Sequence, residues 1–139
     1  MEIESSKLKA DSRYTVTELK EKNVSHLIGN LVHGDKNVEL RAIIIEKIEE
    51  MKIKDRYVAK FLIADLSGSI HANFFGELAE MLQEGDVLYI NGAYATNFKG
   101  RLTLYEGKQS VVLKIDEFFY LFSEHPFMSE IITTQEAGG

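Results

Sequence analysis

Tyr94, Phe98 and Tyr105 fall in one stretch with Lys99 and Arg101, Phe75 lies a little upstream, and Lys54 and Arg56 sit together before it. Flat rings mixed with cations are the ingredients of a platform for unpaired nucleic-acid strands. Bases stack on the rings at roughly 1–3 kcal/mol each by alanine replacement, while lysine and arginine meet the phosphates. Every base has a π-face, so such a platform has little sequence preference.

Aromatic residues in strands are more often core than ligand surface, so parity has to separate the two. Gly85–Tyr105 reads as two strands joined by the turn Asn97-Phe98-Lys99-Gly100. In Leu102-Thr103-Leu104-Tyr105, the leucines face one side while Arg101, Thr103 and Tyr105 face the other, which puts Tyr105 among polar neighbours. In Ser69–Phe75, Ile70, Ala72 and Phe74 share a face and His71, Asn73 and Phe75 the opposite one, so Phe75 is again a ring in polar company. Tyr94 has the parity of Leu88 and Ile90. It points inward unless the strand bulges, and Gly92 is where a bulge is tolerated.

Other chemistries find little support. The chain contains no cysteine, which removes disulfides, thiolate zinc sites and cysteine nucleophiles together. His26, His33, His71 and His125 are scattered and do not have metal-ligand spacing. No nucleophile elbow or phosphate-binding glycine loop is present, so no enzymatic activity, metal or cofactor is expected. The start of the chain lacks a secretory pattern and no apolar run is long enough to span a membrane, so a soluble intracellular protein is expected.

The 139 residues carry a formal charge of −6, which argues against a phosphate-rich partner until its distribution is considered. From Gln109 onward there are five acids and one base; from Gly34 to Lys108 there are 12 acids and 10 bases. Four of those acids, Glu77, Glu80, Glu84 and Asp86, lie in one short helical stretch. The bases gather on two hairpins, with Lys47, Lys52, Lys54, Arg56 and Lys60 on the first and Lys99, Arg101 and Lys108 on the last. A locally basic groove is compatible with a globally acidic chain.

The elements that would position these side chains follow in order. Residues 1–13 are charged and unpatterned and are expected to be mobile. Thr15 and Glu18 form a capping-box pattern, and Val24, Leu27, Ile28 and Leu31 recur at helical spacing, predicting a helix folded against its own barrel, with a partner-binding arm as the alternative. Val38–Ile48 and Tyr57–Asp65 are β-rich runs joined by a charged connection, Glu49–Arg56. After the third strand, Gly76–Glu84 predicts a short helix with Leu78, Met81 and Leu82 inward and Gly85 at its C-cap. Strand, strand, strand, short helix, hairpin is the order of an all-β, five-stranded OB-fold Greek-key barrel. Ligands of that fold lie on the second and third strands, flanked by the loops after strands one and four. The domain reading is an N-terminal extension with a helix over 1–33, the barrel over 34–122 and an acidic C-terminal tail over 123–139.

From about Gly34 to Ser129 the chain resembles the simple eukaryotic single-stranded DNA-binding proteins related to the B-type subunits of the SOSS complex. The resemblance is carried by Ala64-Asp65-Leu66-Ser67-Gly68-Ser69-Ile70, Gly85-Asp86-Val87, Gly92-Ala93-Tyr94-Ala95, Phe98-Lys99-Gly100, Leu102-Thr103-Leu104-Tyr105 and Phe122-Ser123-Glu124. It implies base stacking at the positions of Phe75, Tyr94, Phe98 and Tyr105, and so an outward Tyr94. The family commonly has tryptophan where this chain has Phe75. It also implies work in DNA repair and genome maintenance in the nucleus, in a complex with a helical scaffold subunit and a small acidic subunit. The function expected is non-catalytic binding of single-stranded DNA, with Lys99, Arg101 and Lys54 or Arg56 on phosphates. Two alternatives stand beside it: an assembly subunit that binds mainly protein, and a binder of single-stranded RNA.

Overall fold

Alternating apolar residues fix most of the sheet. The computed structural model describes residues 14–131, so the expectations for residues 1–13 and for the last part of the acidic tail lie outside the described residues. Among the described residues are six strands: β1 (Val38–Ile53), β2 (Arg56–Asp65), β3 (Gly68–Phe75), β4 (Asp86–Phe98), β5 (Arg101–Tyr105) and β6 (Val111–Glu117). They run in the order β1-β2-β3-β5-β4-β6, and β1 also pairs with β4. The pairing closes β1, β2, β3, β5 and β4 into a five-membered ring in which β3 and β5 are parallel. This is the Greek-key closure of an OB-fold barrel. The sixth strand, not anticipated from the sequence, pairs antiparallel with residues 86–91 of β4 while β5 pairs with 94–98. Thus β5 and β6 both run antiparallel to β4, one after the other along it, separated by the turn at 106–110.

The core inside the ring includes Leu40, Phe61, Ile63, Ile70, Phe74, Ile90 and Leu104, with the Phe61 and Phe74 rings 5.5 Å apart. Helix α2 (Gly76–Met81) closes one end through Leu78, Ala79 and Leu82. The stripe therefore differs from the sequence expectation: Ala79 is inward and Met81 is 67% exposed. The helix also stops earlier, with Leu82 as its C-cap; Gly85, at φ 92°, lies instead in the turn just before β4 and donates its N–H to the Ile44 carbonyl.

Before the barrel, helix α1 (Val16–Glu21) starts at Thr15 with both bonds of the capping box formed. It is one short helix and does not continue to Leu31. Residues Ile28–Asn30 form a separate 3₁₀ turn, because Asp65 and Ser67 accept the Ile28 and Gly29 N–H groups and bind that segment to the β2–β3 turn. Leu19 packs with Ile43, Val87, Tyr89, Leu113 and Ile115 on the outside of the ring, whereas Ile28 and Leu31 belong to the core within it. Glu39 joins the two parts: its carboxylate accepts from Lys22 and from the Tyr89 hydroxyl, each at 2.5 Å, and from Ser25 N–H. Burial opposes ionisation of Glu39, but these donors, Lys22 foremost, hold its carboxyl below the usual range.

Candidate nucleic-acid interface

The connection after β1 is not a loop. Strand β1 continues to Ile53 and pairs with β2 down to Ile53–Arg56, leaving a two-residue turn at Lys54-Asp55. The sequence did not signal this because residues 48–53 are all exposed; a ribbon wet on both faces has no hydrophobic period to read. The β4–β5 connection is equally tight, with Phe98 paired to Arg101 across Lys99-Gly100. Both central residues of each turn have positive φ: 52° and 66° at Lys54 and Asp55, 52° and 81° at Lys99 and Gly100. That is the backbone of a type I′ hairpin. A lysine thus sits at the tip of each hairpin, in a conformation that side chains normally avoid.

Between the two hairpins lies a groove of about 690 Å³, lined among others by Lys54, Arg56, Phe75, Tyr94, Phe98 and Tyr105. Six of the eight residues singled out from the sequence therefore meet at one site. The Arg56 guanidinium lies over the Phe75 ring, 4.0 Å from its centroid. Phe98 is 53% exposed, and the Lys99 ammonium is 5.2 Å from its ring centre.

Tyr94 is turned outward by the backbone. The β1–β4 register shifts between Val38–Ala93 and Glu39–Asn91, leaving Gly92, at φ 93°, as the extra residue of a bulge. Beyond it the parity reverses: Leu88, Ile90, Ala93 and Ala95 are buried and Tyr94 is 41% exposed. Tyr94 pairs with Tyr105 across β4 and β5, and their rings stack at 5.4 Å and 19°. Burial pushes the Tyr105 phenol up, against the hydrogen bonding of Asn73, so the hydroxyl stays protonated at neutral pH.

Lys99, at the hairpin tip, does not line the groove, and neither does Arg101. Its guanidinium donates to the carbonyl of Ser129, and the Ser129 hydroxyl bonds Leu102 O and accepts from His71 N–H. Residues 123–129, expected as part of a tail, run along β3: Ser69 bridges to Phe127, and the Phe127 ring packs edge-on to His71 at 5.0 Å. This strap covers the His71–Thr103 end of the sheet face and leaves the Asn73–Tyr105 end open. The bonds that direct it come from backbone groups and two serines, which carry no periodic signal.

Several groove residues were not singled out as site residues from the sequence: Met51, Ile53, Lys60, Asn73 and the acids Glu49, Glu50 and Glu106. Lys60 pairs with Glu49, Lys47 pairs with Glu50, and Glu106 accepts the Phe75 N–H. The groove is therefore nearly balanced in charge, with rings as its dominant feature.

A closed five-stranded ring, an end-capping helix and an aromatic groove between two hairpins define this chain as an OB-fold barrel. No family model matches the chain. Over 94 residues it is 26% identical to the single-stranded DNA binding protein Ssb of Saccharolobus solfataricus, a match taking in 65% of this chain and 64% of that protein. The chain thus spans less than two thirds of the length of that curated relative. Among solved structures, a hypothetical protein of Arabidopsis thaliana superimposes with a TM-score of 0.66 at 15% identity, over 79% of this chain and 86% of its own. The OB domain of a Thermoplasma acidophilum protein gives 0.54 at 24%, over 70% and 92%. The replication factor A related protein of Methanobacterium thermoautotrophicum gives 0.52 at 22%, over 66% and 90%. At these identities the structural likeness establishes the fold.

Proposed function

We propose that this chain is a non-catalytic module that binds single-stranded DNA across the groove between its two hairpins. The observation that carries the proposal is the convergence of Phe75, Tyr94, Phe98 and Tyr105 on one groove with Lys54 and Arg56. The rings take the bases, and Lys54, Arg56 and Lys99 take the phosphates. The name of the Saccharolobus relative supports the same reading. On the sequence motifs, the proposal extends to a member of the family related to the B-type SOSS subunits, acting in DNA repair in the nucleus with a helical scaffold subunit. The test is anisotropy of labelled oligothymidine titrated with wild type, Tyr94→Ala and Phe98→Ala, with an RNA competitor. Each substitution is expected to cost about 1–3 kcal/mol of binding. Unchanged affinity in both variants rejects the platform, and preference for the RNA competitor moves the ligand to RNA.

One observation favours the assembly-subunit reading. Phe118, Phe119 and Leu121 are exposed beside Leu27 and Leu66, around a recess of about 630 Å³ away from the groove. Soluble surfaces rarely leave so many large apolar side chains together without a partner. Copurification with another subunit through high salt, alongside negligible DNA affinity, decides for this reading.

A further inference from the structure

The stacked tyrosines form a wall between two recesses. On one side is the groove, which both rings line; on the other is a recess of about 400 Å³ lined by Tyr94 without Tyr105, together with Gly34, Lys36, Asn37, Gly92 and Thr96. Topology explains the division. Tyr94 sits on β4 between β5 and the segment 34–35, which bonds β4 through Gly34 N–H to Ala95 O and Ala95 N–H to Asp35 O. Tyr105 covers the ring face on the β5 side. The other face of Tyr94 is therefore turned toward the 34–37 segment.

Chemistry at that recess matches the groove. It offers part of the half-exposed Tyr94 ring, an exposed lysine and open space beside Gly34, where nothing lies within 4 Å of where a Cβ would stand. The acid nearby, Asp35, turns its carboxylate to the Val32 N–H. Resting on the single-strand reading above, we infer that the bound strand passes over the tyrosine wall and places a further nucleobase in this second recess, stacked on the outer face of Tyr94 with its phosphate near Lys36. The pair is thus a two-sided wedge, with bases stacked against both of its outer faces, and the site is longer than the groove alone.

The test is a length series of labelled oligothymidines, from about four to sixteen nucleotides as OB-fold site sizes allow, titrated with wild type and Lys36→Glu at one low ionic strength. Wild type is expected to gain about tenfold when the oligomer becomes long enough to reach the recess, the size of one stack. Lys36→Glu loses that gain and leaves the shortest binding oligomer unaffected. A saturating long oligomer carrying 2-aminopurine at one end or the other gives a second readout: quenching at the end in the recess is lost in Tyr94→Ala and retained in Phe75→Ala. Identical length profiles in wild type and Lys36→Glu, with end quenching insensitive to Tyr94, overturn the inference while groove binding stands. Absence of binding by wild type at every length overturns the single-strand reading and this inference with it.

Discussion

Arg56 lies face-on to Phe75, with its guanidinium carbon 4.0 Å from the ring centroid. In the free protein the cation occupies the ring face that a base would use. A guanidinium is planar and itself stacks on bases, so it can remain above the ring or move to a phosphate. Phe75→Ala is expected to weaken oligothymidine binding by about 1–3 kcal/mol with the salt dependence unchanged. Arg56→Ala is expected to flatten the slope of log affinity against log salt by about 0.7, one phosphate contact on a single strand. Because Lys47 and Lys60 are paired with acids, the wild-type slope for an oligomer confined to the groove should be near −2, three contacts at about 0.7 each from Lys54, Arg56 and Lys99. A slope of −5 or steeper would sink this assignment of cations.

Gly92 determines where Tyr94 points. An alanine there would adopt φ 93° and bring its Cβ to 3.1 Å from Ser110 Cα, a backbone atom with little freedom to yield. Left-handed backbone alone costs roughly 1–2 kcal/mol in a residue with a Cβ. Gly92→Ala should therefore unfold at lower urea than wild type and, while still folded, bind oligothymidine as poorly as Tyr94→Ala. Retention of full affinity would show that the bulge survives without glycine.

His71 gives the fold a pH dependence. Burial under Phe127, with Lys60 and Arg101 nearby, lowers its pKa from 6.5 to about 4, only partly offset by Glu49. The unfolded chain then takes up this proton first, so the stability linked to His71 is complete above pH 6.5 and is lost as pH falls toward 4. Urea unfolding at pH 7 and pH 5 should show a smaller difference for His71→Gln than for wild type. An equal difference in the two proteins would assign the acid sensitivity to other groups.

What the sequence revealed and what it hid have physical causes. The leucines of β5 and the Ile70-Ala72-Phe74 face were legible because one side of each strand is core and the other is not. Tyr94 was ambiguous because a bulge reverses parity without changing composition; only Gly92 hinted at it. The β1–β2 ribbon was mistaken for a connection because both its faces meet water. Arg101 was grouped with the groove cations by its place in the hairpin, yet a carbonyl some 28 residues away in sequence holds its guanidinium. Long-range bonds from backbone groups leave no local trace. In α2, Met81 fits the helical stripe as well as Ala79 does, yet Ala79 is the one buried and Met81 is left exposed.

The ladder between β1 and β2 shifts register twice, between Ile44 and Glu46 and between Lys47 and Glu49, just where β1 leaves its pairing with β4. Beyond those irregularities the ribbon has a partner on one edge only. Its amides should exchange with deuterium well before those of Leu40 or Ile90, since local opening there exposes little core. A strand lying across Lys54, Arg56 and Val58 would close that opening, and exchange at the tip should slow on binding. On the single-strand reading, the barrel would supply a fixed floor and the ribbon a finger steadied by what the floor has caught.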